Sequence, residues 1–247
     1  MQALVFAAGL GTRLKPLTDH TPKALVDVSG VAMLERVIRR LVDVGVDRVV
    51  VNVHPFAERI ERFVRERDAF GIEVVLSHEI ERPLETGGGL AHARDALRPD
   101  QPTILHNADV LTDLPLDAML QAHAQHAPLA TLAVMERPTT RGLLFDDGGL
   151  LGRVDETKDL EIRVRESHGE PRRLAFAGVH VVSPTLPGRI TEQGAFSILE
   201  PYLRLAAEGE TILPFRVDGS LWIDIGRPAQ LEEARRLVRV ADETPRP

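Results

Sequence analysis

Between Gly9 and Lys23 the chain places two glycines, an arginine and two lysines directly after the apolar run Ala3-Leu4-Val5-Phe6-Ala7-Ala8. Gly9 and Gly11 leave room for backbone amides to approach an anion. Arg13 offers a forked contact to phosphate oxygens, and Lys23 a compact point charge. Pro16 and Pro22 stiffen the segment between them. A hairpin turn, a dinucleotide loop and a loop for another phosphate ligand are all built this way. The dinucleotide fingerprint needs a third glycine, where Leu14 stands. It also needs an acidic residue closing the second strand, where the chain reads Asn52-Val53-His54. A Walker loop needs a Gly-Lys pair, and the chain contains none. A loop for another phosphate chain remains. Lysine is rare, at positions 15, 23 and 158 only, so each retained one points to a need for a flexible ammonium.

The elements that must position this loop follow from hydrophobic periodicity. Residues 2 to 8 read as a buried strand. Residues 32 to 44 carry Met33, Leu34, Val37, Ile38, Leu41 and Val42 at helical spacing, closed by Gly45. Strands follow at 48 to 53, 72 to 76, 103 to 107 and 128 to 135. A helix is expected to begin at Pro55, with Phe56, Ile60, Phe63 and Val64 inward. Others are expected from the Gly87 to Gly89 run through Ala96, and at 115 to 126. This alternation predicts an α/β domain with a mostly parallel sheet. Beyond residue 138, shorter strands are expected at 142 to 146, 150 to 154, 174 to 182 and 212 to 216, with Gly148-Gly149 as a hairpin turn. Helices are expected near 196 to 208 and 228 to 240. The expectation is one domain, 1 to 240, with a disordered tail at 241 to 247.

Bulk properties narrow the function. A hydrophobic fraction of 43% and a charged fraction of 27% over 247 residues are those of an ordinary globular protein. The net charge of -7 argues against a nucleic-acid footprint, and 4% aromatics against a base-stacking platform. The absence of cysteine excludes disulfides, thiolate catalysis and cysteine-bound zinc. No signal peptide and no run of about 18 apolar residues is visible, so the expected setting is the cytoplasm, away from membranes. None of the nine histidines has metal spacing. His106 reads as a packed strand histidine, and His54 and His92 as candidates for polar pocket contacts. No exposed heptad or apolar stripe distinguishes a monomer from a homo-oligomer.

Gly9-x-Gly11-Thr12-Arg13-x-x-Pro16-x-Thr18, followed by Pro22-Lys23, resembles the signature of the sugar-1-phosphate nucleotidylyltransferases. Three more segments extend the resemblance to about residue 240. Residues 84 to 93, Leu84-Glu85-Thr86-Gly87-Gly88-Gly89 and onward, resemble the loop that holds base and ribose. There Gly87, Gly88 and Gly89 would permit backbone hydrogen bonds to a base edge. Residues 104 to 110 resemble a strand end in which Ala108 replaces the usual glycine and Asp109 stands at a metal-binding position. Residues 221 to 231 resemble the Trp-x-Asp-x-Gly-x-Pro segment, with Asp224 as a second metal ligand. Two aspartates closing apolar strands suit Mg²⁺, which takes few carboxylates and fills its shell with water and phosphate oxygens. Glu156-Thr157-Lys158 stands where the family often has Glu-Lys-Pro, with one spacer added and the proline missing.

The resemblance implies a three-layer α/β/α Rossmann-like nucleotidyltransferase fold. Residues 1 to 138 would mainly bind nucleotide and 139 to 240 mainly sugar. The nucleoside triphosphate would meet Ala8, Gly9, Gly11, Thr12, Thr86, Gly87 and Gly88. The sugar 1-phosphate would meet Asn107, Gly142, Glu156, Lys158 and Gly178. Arg13, Lys23 and Asp109 would serve the reaction, an in-line attack of a sugar-phosphate oxygen on the α-phosphorus. Pyrophosphate leaves, and no strong general base is needed. The short chain and the Leu-Glu-Thr-Gly-Gly-Gly stretch look most like the N-acetylmuramate 1-phosphate uridylyltransferases of cell-wall recycling. Mannose or heptose 1-phosphate guanylyltransferases and phosphocholine cytidylyltransferases share most of these residues. A metal-dependent glycosyltransferase would favour Asp-x-Asp, which Asp109 to Asp113 does not provide. A non-catalytic nucleotide-sugar sensor would be favoured by loss of Arg13 or either aspartate, and all three are present.

Overall fold

The computed structural model describes residues 1–54 and 56–243. Pro55 and residues 244–247, with the expectations placed on them, lie outside the described residues. The strands in chain order are β1 (Gln2–Phe6), β2 (Asp27–Val28), β3 (Val31–Ala32), β4 (Arg48–Val53), β5 (Glu73–His78), β6 (Thr103–Asn107) and β7 (Val110–Thr112). They continue with β8 (Ala130–Met135), β9 (Arg141–Asp146), β10 (Gly149–Asp155), β11 (Leu160–Arg163), β12 (Arg172–Val182), β13 (Ile212–Arg216) and β14 (Trp222–Asp224). The helices are α1 (Met33–Asp43), α2 (Ala57–Arg65), α3 (Glu85–Ala93), α4 (Leu116–His126), α5 (Leu199–Ala207) and α6 (Pro228–Glu243). By contacts the chain forms two compact units. One comprises Met1–Pro83, His106–Asp113 and the chain from Leu221 onward; the other comprises Leu84–Leu105 and Leu114–Ser220.

In the first unit β1, β4 and β5 pair in parallel, with Leu4 opposite Val50 and Val50 opposite Val75. Such strands are covered on both faces, which is why β1 and β4 read as largely apolar runs. The connections run through α1 and α2, the alternation expected of an α/β fold. α1 buries Met33, Leu34, Val37, Ile38 and Leu41. It ends when the Gly45 amide bonds the Val42 carbonyl and the Val46 amide bonds that of Leu41, a Schellman closure. On α2, Ile60 and Val64 are buried as expected. Phe56 is not on the inner face: it precedes the helix in left-handed backbone, 37% exposed. Phe63 is half-buried and lies under the Arg67 guanidinium, 3.6 Å from its centroid.

In the second unit β12 runs antiparallel to β8 and β9, β13 runs parallel to β8, and β9, β10 and β11 form an antiparallel ribbon. The α/β class with a mixed sheet therefore holds, with the parallel central set β1-β4-β5 in the first unit. The β9–β10 turn is Asp147-Gly148, one residue earlier than expected, because Gly149 already pairs with Asp146. β2, β3, β7 and β11 were not read from the sequence, because at two to four residues they carry too little alternation to stand out, and β14 was expected only as the apolar strand that Asp224 closes. α6 runs past residue 240 to Glu243, so residues 241 to 243 of the expected tail are helical. Among the described residues no helix is long and apolar enough to cross a membrane.

Candidate active site

The loop from Gly9 to Lys23 begins beyond the end of β1, and a side chain from β4 sets its entry. Asn52 lies opposite Phe6 in the β1–β4 register. Its Oδ1 accepts the amides of Ala7 at 2.6 Å and Ala8 at 3.3 Å, and its Nδ2 donates to Glu79 Oε1 at 2.7 Å. All four residues are buried. Sequence reasoning missed Asn52; its one signal was a polar residue inside the apolar strand Val49-Val50-Val51-Asn52-Val53. Asn52→Ala would strand two buried amides and take one partner from Glu79, and should destabilise the protein by about 2–4 kcal/mol. Urea unfolding of the variant checks this. His54, next along, uses Nδ1 to donate to the Glu79 carbonyl at 2.6 Å. His92 is exposed on α3.

Gly9 is open on its Cβ side, whereas Gly11 has φ +63 and its Cβ would lie 2.9 Å from Thr18 Cγ2. Thr18 in turn donates to the Gly11 carbonyl at 2.8 Å. Thr12 and Arg13 are exposed, and Leu14 turns inward. Leu14 packs in one apolar cluster with Val26, Val28, Met33, Leu111, Ile225 and Leu231. That cluster contains the neighbours of three predicted site residues: Leu14 follows Arg13, Leu111 stands two past Asp109, and Ile225 follows Asp224. Apolar packing thus fixes the backbone on which the charged groups stand.

β7 and β14 complete the arrangement. They pair antiparallel with Asp224 opposite Val110, and the Ile225 amide donates to the Asp109 carbonyl at 3.0 Å. Lys23 Nζ forms an ion pair with Asp109 Oδ2 and lies 3.7 Å from Asp224 Oδ1. Lys23 is only 11% exposed, while Asp109 and Asp224 are 27% and 33% exposed. The Gly226 amide donates to Asp224 Oδ1 at 2.6 Å. A Cβ on Gly226 would lie 2.7 Å from Asp224 Oδ1, 2.9 Å from Arg13 Nη2 and 3.1 Å from Lys23 Nζ. Arg13, Lys23 and Asp224, more than 200 residues apart in the chain at the extremes, therefore meet at one glycine, and Asp109 joins them through its ion pair with Lys23. Two cations and two carboxylates, partly open to solvent, can receive a polyanion together with a hard divalent cation.

Asn107 closes β6 beside this group, and Ala108 is buried with its amide on the Phe6 carbonyl at 3.0 Å. His106 is a packed strand histidine, with Nδ1 donating to the Asn107 carbonyl at 2.8 Å. Burial, with a further contribution from the Arg40 charge, pushes its pKa from 6.5 down to about 4. The folded state therefore binds fewer protons here than the unfolded chain. The contribution is fully present above pH 6.5 and is lost as pH falls from 6.5 toward about 4. In His106→Gln the fall in unfolding free energy across this window should be shallower, by at most about 3 kcal/mol. Urea titrations of both proteins at several pH values within the window measure it.

In the second unit, the glycine-rich start of α3 is engaged by the chain around Phe196. The Phe196 carbonyl accepts the amides of Gly87 at 2.9 Å and Gly88 at 3.3 Å. Thr86 Oγ1 accepts the Ile198 amide at 3.0 Å. A Cβ on Gly87 would meet the Phe196 ring at 2.4 Å, and one on Gly88 the Gly194 carbonyl at 2.3 Å. Close packing accounts for both glycines, and the two amides expected at a base edge have an internal acceptor. Gly142 lies on β9, and Glu156 and Lys158 are exposed on the short helix after β10. Gly178 is buried within β12, where its register with β8 shifts. Gly142 and Glu156 come together at Arg173, which was not singled out from the sequence.

Residues 2–143 match the family model described as nucleotidyl transferase. The chain is 38% identical over 242 residues to the N-acetylmuramate alpha-1-phosphate uridylyltransferase of Caulobacter vibrioides, covering 95% of this chain and 96% of that one. It is 34% identical to the mannose-1-phosphate guanylyltransferase catalytic subunit beta of Danio rerio, covering 92% of this chain and 62% of that longer one. The fold matches that of a UDP-glucose pyrophosphorylase from Acinetobacter baumannii with a TM-score of 0.80 at 17% identity, covering 98% and 94% of the two chains.

Proposed function

Since the chain belongs to the nucleotidyl transferase family, we propose that it joins UTP to N-acetylmuramate 1-phosphate, giving UDP-N-acetylmuramate and pyrophosphate. The observation that carries the reaction is the meeting of Arg13, Lys23 and Asp224 at Gly226, with Asp109 ion-paired to Lys23. The substrate pair rests on the Caulobacter relative, whose similarity runs through nearly the whole of both chains.

The sugar-phosphate oxygen forms a bond to the α-phosphorus while the bond from that phosphorus to the bridging oxygen breaks, and pyrophosphate departs with the electron pair. The nucleophile is already anionic at neutral pH, so the protein's work is to gather and neutralise charge. Arg13 grips the departing pyrophosphate end. Lys23 passes its ammonium from the carboxylates to the phosphate oxygens of bound triphosphate. Asp109 and Asp224 would hold Mg²⁺; their oxygen-only, partly solvated donor set fits that ion. When bound, Mg²⁺ supplies charge neutralisation across the phosphates. Ala8, Gly9, Gly11 and Thr12 line the triphosphate. Thr86, Gly87 and Gly88 shape the nucleoside-facing wall through the packing described. Asn107, Gly142, Glu156, Lys158 and Gly178 serve the sugar 1-phosphate, and residues 1 to 240 act as one nucleotidyltransferase domain.

The test is pyrophosphate release with Mg²⁺ across the four common nucleoside triphosphates and a panel of acceptors. The panel holds N-acetylmuramate, N-acetylglucosamine, glucose, mannose and heptose phosphates, and phosphocholine. Release that needs UTP with N-acetylmuramate 1-phosphate is the expected result. Preference for GTP with mannose or heptose phosphate would replace the substrate pair and keep the reaction. Binding of triphosphate without release for any pair would overturn the reaction.

A further inference from the structure

Arg173 sits opposite Leu144 in the antiparallel pairing of β12 with β9. On β9, Gly142 shares the face of Leu144, two residues along, and it stands opposite Val154 of β10. The Arg173 side chain lies along this face. A Cβ on Gly142 would be 2.7 Å from both its Cγ and its Nε. Its Nη1 reaches Glu156 Oε1 at 2.5 Å, and its Nη2 donates to the Thr139 carbonyl at 2.7 Å. The next carbonyl, that of Thr140, accepts the Glu156 amide at 2.9 Å. One guanidinium thus ties together the segment before β9, the turn after β10 and β12. Gly142 follows the first of these on β9, Glu156 and Lys158 stand in the second, and Gly178 lies on the third.

We propose that Arg173 is a positioning residue for the sugar 1-phosphate: it fixes the Glu156 carboxylate for the acceptor, and Gly142 lacks a side chain so that Arg173 can pass. Three observations support this. Glu156 is on an exposed turn, where a free carboxylate on a flexible stem would sample many rotamers. The forked guanidinium restricts it by holding the carboxylate and the Thr139 carbonyl at once, next to the Thr140 carbonyl that accepts the Glu156 amide. The contact with Gly142 lies against the middle of the Arg173 stem, so it cannot be relieved by moving only the charged tip. The inference rests on the acceptor role given above to Gly142 and Glu156.

The test uses the full chain, with the triphosphate and the sugar 1-phosphate that the wild-type enzyme turns over. Arg173→Gln should raise KM for the sugar 1-phosphate by about 10- to 100-fold, the scale of a lost charged hydrogen bond. KM for the triphosphate should stay within about threefold, against that larger scale. Arg173→Lys, which keeps the charge and loses the fork, should fall between the two. Gly142→Ala leaves Arg173 chemically intact and only displaces it, so it should give the same selective rise. The double variant should be no worse than the worse single one, because both remove one arrangement. Equal effects on both substrates, no effect of Arg173→Gln, or additive effects of the two changes would overturn the proposal alone. Absence of wild-type turnover with every sugar 1-phosphate would overturn the functional reading and this proposal with it.

Discussion

Asp109→Asn is expected to lower turnover by at least about 100-fold, the scale of losing one preorganised electrostatic group, with the fold intact. The substitution keeps the shape of the side chain and removes its charge. Little of the packing depends on that charge, since the backbone of Asp109 is held by the Ile225 amide and by the buried neighbours Ala108 and Val110. What is lost is one of the two carboxylates that would hold Mg²⁺, and the ion-pair partner that orients Lys23. The loss should appear in kcat more than in the KM for the triphosphate, because the charge is needed most where negative charge builds up in the transition state. Steady-state kinetics paired with thermal unfolding checks both halves. Near-normal turnover would remove Asp109 from the reaction.

Gly226→Ala should be comparably severe, about 100-fold or more in kcat/KM, because small displacements of oriented groups carry penalties of that order. The added methyl would fall among Asp224 Oδ1, Arg13 Nη2 and Lys23 Nζ, each within 3.1 Å. All three are the free ends of side chains, so they can swing aside at modest cost. The protein should therefore remain folded while its charged groups lose their common focus. The substitution separates this geometry from ordinary packing: an unfolding midpoint close to wild type together with a large kinetic loss is the expected pair of results. Wild-type kinetics would show that the groups need not converge at Gly226 for the reaction to proceed.

Much of the architecture could be read from the chain because burial leaves a local trace. The runs at 48–53 and 103–107 coincide with β4 and β6, since a strand covered on both faces is mostly apolar, and the run at 212–216 coincides with the half-buried β13. α1 was legible for the same reason at a period of 3.6. The stretch from Gly9 to Lys23 stood out because two glycines, an arginine and two lysines follow a buried strand, the residue types that an anion-binding loop needs. Asp109 and Asp224 stood out as strand-closing acids, and with Arg13 and Lys23 they formed the predicted set.

What brings that set together was not legible. Hydrophobic periodicity says that an element is covered, and is silent about what covers it. Asp224 reaches Asp109 through β7 and β14, two three-residue strands whose pairing is invisible in so short a pattern. Asn52 mattered only once Phe6 was its register partner. Gly87 and Gly88 were read as a surface for a base, and the fold also brings Phe196 and Gly194 close to them, which a glycine's place in the chain does not record. Arg173 was one arginine among 27 until the strand pairing laid it over Gly142. The sequence by itself determined the chemical types of the groups and the elements that carry them. Only the tertiary structure decided which of them meet, because convergence depends on contacts between residues far apart in the chain, and composition and spacing hold no term for those.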